Sequence, residues 1–289
     1  MQTPAPHPPE DPPSVSVGVP TYNGASFLRE CLVSVASQKG VRLQILVLDD
    51  GSSDACISIA QAVAREYPEA EWIIRTHPSR LGMVGNWNAC VEAATHEYFK
   101  LIGQDDLLLP GCLQMQASVL ANHPEVSIAA TGRMLINARG RSLFCVPTAF
   151  PKGVISGKSA AIRTMLSGTN RIGDPVAILC RRKMLCEAGP FDAQLHYCPD
   201  LEMWLRMLTL GDLYFDPEPA VQYRIHGESA GKSLQHLVSR EFLQTIQALS
   251  PRFGLPLNRL QRWRIRLISH ALGWLRSRLY TLLNISILH

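Results

Sequence analysis

This chain of 289 residues has little that would send it out of the cytoplasm or into a membrane. No stretch reaches the roughly 18–20 uninterrupted apolar residues of a spanning helix, which excludes an ordinary membrane anchor. A secretory leader is missing too. Residues 1–13 hold six prolines and no apolar core, so they read as a flexible arm. There is no cysteine framework. Eight cysteines (Cys31, Cys56, Cys90, Cys112, Cys145, Cys180, Cys186 and Cys198) are scattered without metal-ligand spacing. They read as small buried hydrophobes in a reducing compartment, and the protein as cytoplasmic. A strong charge of either sign is also absent. The formal charge of +4 comes without a recognition motif, which excludes nucleic acid as a partner. No internal repeat and no low-complexity segment beyond the proline arm appear.

What is present is enough apolar residue, 46 %, for one large α/β domain. Strands are expected at 15–20, 41–48, 71–75 and 98–102. Helices are expected from Ser26, from Ser53 or Asp54 to about Tyr67, over 84–94, and from Pro110 to about Ala121. Regular alternation of this kind predicts a doubly wound, mostly parallel, Rossmann-like sheet. After His123-Pro124 the rhythm changes. A long strand over 126–136, helices at 159–166, 182–188 and 199–210, and short strands at 213–215 and 220–225 predict an α+β second half.

Two of the strands run into acidic pairs. Ile45–Leu48 leads into Asp49-Asp50-Gly51-Ser52, and Tyr98–Ile102 into Gly103-Gln104-Asp105-Asp106. Parallel sheets bind ligands outside the carboxyl ends of their strands. Four carboxylates there repel one another unless a cation lies between them or they hydrogen-bond a ligand. A divalent metal holding a nucleotide diphosphate meets both needs.

Four blocks, in order, carry a resemblance: Pro20-Thr21-Tyr22-Asn23; Asp49 to Asp54; Gln104-Asp105-Asp106 with Leu109-Pro110; and Pro199-Asp200-Leu201-Glu202-Met203-Trp204-Leu205-Arg206. Over about residues 14–230 the chain resembles family 2 glycosyltransferases of the GT-A fold, which move a sugar from a nucleotide sugar with inversion. The resemblance implies that Pro20–Asn23 approaches the nucleobase, with the Tyr22 ring for stacking and Thr21 and Asn23 for hydrogen bonds. It implies Asp50 on the imide N–H of a uracil or thymine ring, with Asp49 either a ligand or a turn acid. It implies Asp106 on Mg2+ or Mn2+, and Asp105 on the ribose or the metal. The family's usual first acid is replaced here by Gly103. Asp200, at a helix N-terminus whose dipole favours the ionised form, is implied as general base. Trp204, one turn on, would exclude water. Glu202 and Arg206 read as a surface ion pair.

Three further regions belong to this reading. Tyr223–His226 with Ser229 resembles the segment after the base helix, with His226 on diphosphate or metal. Asn86 and Asn88, in a loop entering a helix, face the nucleotide sugar, with Trp87 in the core. Asp174 begins an acceptor wall or is a turn acid. The tail over 236–289 carries seven arginines between Arg252 and Arg278 and repeats Leu260, Trp263, Leu267, Ala271 and Trp274 at helical spacing. It reads as an amphipathic helix for an anionic membrane surface, or as one packed on protein. The expected organisation is therefore an arm (1–13), a GT-A domain (14–235) and a basic helical tail (236–289).

The function so implied is transfer from a UDP- or dTDP-linked sugar to a glycan or lipid-linked acceptor, in surface polysaccharide synthesis at the inner face of the membrane. One rival is a sugar-nucleotide nucleotidyltransferase. It would want a glycine-rich basic loop after the first strand, which Pro20–Gly24 is not. The other is an inactive nucleotide-sugar-binding scaffold, which the missing acid at Gly103 favours.

Overall fold

The computed structural model describes residues 11–147, 150–227 and 237–285. Most of the proline arm and Ser229 lie outside these residues. The first half forms β1 (Ser14–Thr21), α1 (Ala25–Ala36), β2 (Arg42–Asp49), α2 (Cys56–Glu66), β3 (Glu71–Thr76), α3 (Gly82–Ala93) and β4 (Tyr98–Leu101). The sheet order here is β3-β2-β1-β4, all parallel. Both faces of β1 and β2 are buried, as in the strands of a covered parallel sheet. Thr21, Asp49 and Leu101 end adjacent strands on the same edge, and the loops that follow them share one rim.

The second half adds β5 (Leu107–Leu108), α4 (Cys112–Asn122), β6 (Val126–Asn137), β7 (Ser142–Cys145), β8 (Gly153–Ile155), α5 (Gly157–Ser167), β9 (Ile178–Arg181), α6 (Arg182–Ala188), α7 (Pro199–Met207) and β10 (Asp212–Ile225). It extends the same sheet as β4-β9-β6-β10-β5, with antiparallel joints at β9 and β5. The two short strands expected at 213–215 and 220–225 are one strand. Its pairing to β6 shifts register around Asp216 and Pro219, where proline removes a ladder donor. β5, β7 and β8 are strands of two to four residues, too short to show periodicity.

The tail packs on the domain that precedes it. It forms α8 (Val238–Leu249) and the long α9 (Arg259–Ile285). Phe242, Ile246, Leu249, Phe253, Leu257 and Ile265 lie in the same apolar core as Trp204, Phe191 and Phe215. The catalytic half therefore has no edge at 235. Its core is completed by residues that follow it.

Lys100 sits in the middle of β4, wholly buried. Its Nζ donates to the carbonyls of Val176 (2.7 Å) and Ile178 (3.0 Å). Burial pulls this ammonium down to about 8. Gln116 donates to Ala177 O from the other side (2.9 Å). Together they hold the turn Pro175–Ala177, and with it Asp174 and Gly173, against the parallel half.

Candidate active site

The nucleotide-side turn is built from backbone clasps. Asn23 has a left-handed φ of 47°, a conformation asparagine tolerates. Its Oδ1 accepts from Ser53 N (2.9 Å), and its own N–H donates to Ser52 Oγ (2.9 Å). Thr21 is buried, and its hydroxyl donates to Leu48 O (3.3 Å). These two side chains therefore join β1 to the end of β2 and the loop after it. Tyr22 projects, 40 % exposed, with the Arg80 guanidinium 3.8 Å over its ring.

Asp49 is a turn acid, accepting from Ser52 N (3.1 Å) and from the Ser52 hydroxyl. Asp50 is also buried. It accepts from Leu81 N (2.6 Å) and Gly82 N (2.9 Å), the N-terminus of α3, with Arg80 at 3.8 Å. Asn86 turns inward. Its amide donates to Leu48 O (2.8 Å) and its Oδ1 lies 3.0 Å from His77. Asn88 clasps the Phe191 backbone through both ends of its amide (3.0 and 2.8 Å). Both asparagines thus support the rim, each amide being paired to backbone. Trp87 packs against the core.

The second acidic pair is held by a residue that escaped the sequence reading. Arg224, 1 % exposed, donates its backbone N–H to Asp106 Oδ1 (2.9 Å) and its Nε to Asp105 O (2.8 Å). Its other nitrogens reach Asn137 O, Ala138 O and Glu30 (2.6 Å). One guanidinium thus ties β10, the β6–β7 turn and α1 to the acidic loop. The sequence reading placed it in the Tyr223–His226 segment without giving it a role. His226 lies two residues on, with Nε2 2.8 Å from Asp105 Oδ2. Burial, and then the neighbouring Asp105 charge, push the Asp106 carboxyl well above the usual range.

The glycine at 103 has a local reason. A Cβ there would lie 2.8 Å from Asp105 Oδ1 and 3.2 Å from Asp106 Oδ2. The following Gln104 pairs with both the N–H and the C=O of Tyr22 (3.0 Å each). The loop thus keeps two acids close together and fastens them to the Tyr22 turn. Among the described residues, no group of three or more His, Cys, Asp or Glu is arranged to hold a metal unaided. Magnesium asks for one or two carboxylates and takes its remaining ligands from phosphate and water, so the buried Asp106 with the partly exposed Asp105 fits a metal that arrives with a diphosphate.

Across the cleft, Asp200 is at the second position of α7, after Pro199. Three consecutive N–H groups before this helix, from His196, Tyr197 and Cys198, donate to the buried Glu241 carboxylate of α8. Asn170 Nδ2 donates to Asp200 Oδ2 (3.0 Å) and to Gly173 O (3.0 Å). Trp204 is buried beneath and donates to Gly173 O (3.1 Å), so it supports the site from below. Glu202 and Arg206 form their ion pair at 2.7 Å. Asp200 is partly open to the cleft, yet the protein packed round it raises its carboxyl to about 7, with Asp174 adding to the effect. Asp174 lies within electrostatic reach of both Asp200 and Asp106, and pairs with Arg133 (2.9 Å).

A parallel four-strand half with acids at its carboxyl edge, continued by a mixed half that brings a further acid opposite, defines the GT-A class of folds. Two solved structures share it. S. aureus TarS 1–349 in complex with UDP-GlcNAc superposes with a TM-score of 0.66 over 88 % of this chain and 70 % of that one, at 16 % identity. The mannosyltransferase PcManGT from Pyrobaculum calidifontis, in complex with GDP-Man and Mn2+, gives 0.64 over 95 % and 77 %, at 18 % identity. Residues 16–146 match the family described as glycosyl transferase family 2. A Mycobacterium tuberculosis protein, MT1568, is 33 % identical over 216 residues, 71 % of this chain and 65 % of its own length. The Rickettsia prowazekii "uncharacterized glycosyltransferase RP339" is 26 % identical over 234 residues, 80 % of this chain and 70 % of its own. Over residues 16–146 the chain is thus similar to glycosyl transferase family 2.

Proposed function

We propose that this protein transfers a sugar, with inversion, from a uridine or thymidine diphospho-sugar to a saccharide or lipid-linked acceptor, in surface or cell-envelope polysaccharide synthesis. The observation that carries this reading is that two unlike acidic sites share one electrostatic neighbour, Asp174. Asp105 and Asp106 are close-set and backbone-held. Asp200 stands opposite with a carboxyl raised to about 7. A carboxylate with a pKa near the working pH is suited to accept the acceptor hydroxyl's proton. Asp106, with Asp105, is the place for Mg2+ or Mn2+, which when bound offsets charge on the departing diphosphate. His226, beside Asp105, extends that surface toward the phosphates. Tyr22, with Pro20 behind it, and Asp50 are assigned to the nucleobase.

The tail supports a place at the inner face of the membrane. Leu260, Trp263, Leu267 and Trp274 form an exposed stripe on α9, flanked by Arg259, Arg264 and Arg266. Among the described residues no helix is long and apolar enough to cross a membrane, so contact would be with its surface. The scaffold reading rested on Gly103. It loses weight because the glycine makes room for the two remaining acids.

The test is calorimetry with UDP and Mn2+ beside a donor-hydrolysis screen. Asp106→Asn is expected to weaken metal-dependent UDP binding at least tenfold. Unchanged binding would remove Asp106 from the metal. Tight UDP binding by the wild type, with no turnover of any uridine, thymidine or guanosine diphospho-sugar, would establish the scaffold instead.

A further inference from the structure

We infer that Glu241 of α8 is a positioning residue for Asp200, holding the start of α7 so that the proposed base stands in one fixed place. This rests on the glycosyltransferase reading and extends it to the tail, because Glu241 lies past residue 235.

The helix that carries Asp200 begins without a cap of its own. Among the described residues, its N-cap residue Cys198 gives no side-chain cap, and Pro199 at the first position has no N–H. Glu241 supplies what the local sequence lacks. Its Oε2 accepts from Tyr197 N (2.6 Å) and Cys198 N (3.0 Å), and its Oε1 from His196 N (3.0 Å). Three successive backbone N–H groups converging on one carboxylate make a concave anion site, and the dipole of α7 adds to the attraction. Hydrogen bonds to an ionised acceptor are about twice as strong as neutral ones, so these fix the path of the chain at 196–198. Asp200 follows two residues later.

Burial gives this charge a task beyond packing. Glu241 is 5 % exposed and makes no ion pair among the described residues. It sits on the face of α8 that buries Phe242, Ile246 and Leu249 in the core. Taking a carboxylate out of water is costly unless its oxygens are well hydrogen-bonded, and an apolar residue at such a position often stabilises a core as well or better. A charge kept there selects one backbone conformation. Asn170 holds the Asp200 carboxylate itself, and Trp204 ties the next turn of α7 to Gly173 O. Glu241 holds the entry to the helix. Its bonds go to residues 196–198, while the Asp105–Asp106 loop and the Tyr22 turn are held by other side chains. Loss of Glu241 therefore acts on the chemical step and spares the donor.

The test compares Glu241→Gln and Glu241→Asp with Ile246→Val, a control that thins the same buried face of α8. The full chain is used throughout. Hydrolysis of whichever uridine, thymidine or guanosine diphospho-sugar the wild type turns over fastest gives kcat and donor KM. Calorimetry gives UDP–Mn2+ affinity, and hydrogen exchange reads residues 196–201. Glu241→Gln is expected to lower kcat about tenfold, with donor KM and UDP–Mn2+ affinity within about twofold of wild type and faster exchange at 196–201. Glu241→Asp keeps the charge on a shorter arm and is expected to recover part of kcat. Ile246→Val is expected to melt lower with kcat unchanged. Wild-type kcat in Glu241→Gln, an equal loss of kcat in Ile246→Val, or a donor KM that rises as far as kcat falls would overturn the positioning role. Failure of the wild type to turn over any donor would remove the underlying reading. Exchange at 196–201 reports separately, and no change there in Glu241→Gln would overturn the inference by itself.

Discussion

The two halves of the sheet treat their polar side chains in opposite ways. In the parallel half, Thr21, Asn23, Asp49, Asp50, Asn86 and Asn88 each hydrogen-bond a backbone group of a neighbouring loop. In the mixed half, Asp200 has a raised carboxyl, and among the described residues the Thr131 hydroxyl has no hydrogen-bond partner and Arg171 no ion pair. Under the proposed function the first half is a rigid rim for the donor. The second would carry proton transfer and acceptor binding. Stability in one half and reactivity in the other is what the difference teaches, and each can be broken separately.

The largest effect is expected at Asp200. Asp200→Asn should lower transfer about 10²–10⁴-fold, the range for loss of a general base. It should also raise the melting temperature at pH 8. The native carboxyl titrates near 7, above its ordinary 3.8. The native state therefore binds this proton more tightly than the unfolded chain does. The stability this group contributes is complete below about pH 4 and declines as pH rises through 7. Asparagine does not titrate and removes the decline. Wild-type transfer should rise with pH to a plateau above about 7, since the ionised form is the base. A variant that loses activity and also melts lower at pH 8 would mean that Asp200 belongs with the structural acids.

At the seam between the halves, Lys100→Met should destabilise by about 2–4 kcal/mol, because two buried carbonyls lose their donor. Denaturant unfolding measures it, and a loss under 1 kcal/mol would show that the Pro175–Ala177 turn is held by Gln116 alone. Asp50→Ala should destabilise by about 1–2 kcal/mol, the cost of uncapping the start of α3. It should also raise the donor KM. That is the opposite stability outcome to Asp200→Asn, and equal signs for the two would dissolve the contrast. The smallest effect is expected from Asn170→Ala. Its amide stabilises the charged carboxylate, so its loss should move the inflection of the pH–rate profile upward from about 7.

The parallel half was legible because buried strands and amphipathic helices announce themselves by period, and the acids mark the strand ends. Tyr98–Leu101 read as a strand although Lys100 interrupts it, since four neighbours are apolar. What the sequence hid was partnership. Nothing in the order of residues links Arg224 to Asp106, 118 positions away. Glu241 and Asn170 were also missed, because an acid in a helix or an amide in a loop has no local signature of the site it serves. The inward turn of Asn86 was hidden for the same reason, since it depends on Leu48 at the end of β2.

By itself, then, the sequence determined the alternation of strands and helices, the carboxyl-edge acids and the family blocks, all of which depend on near neighbours. Only the tertiary structure decided that residues past 235 complete the core, that Gly103 makes room for Asp105 and Asp106, and that Asp200 titrates near 7. Packing density and desolvation are properties of the surroundings, and those surroundings come from chain segments far apart in order.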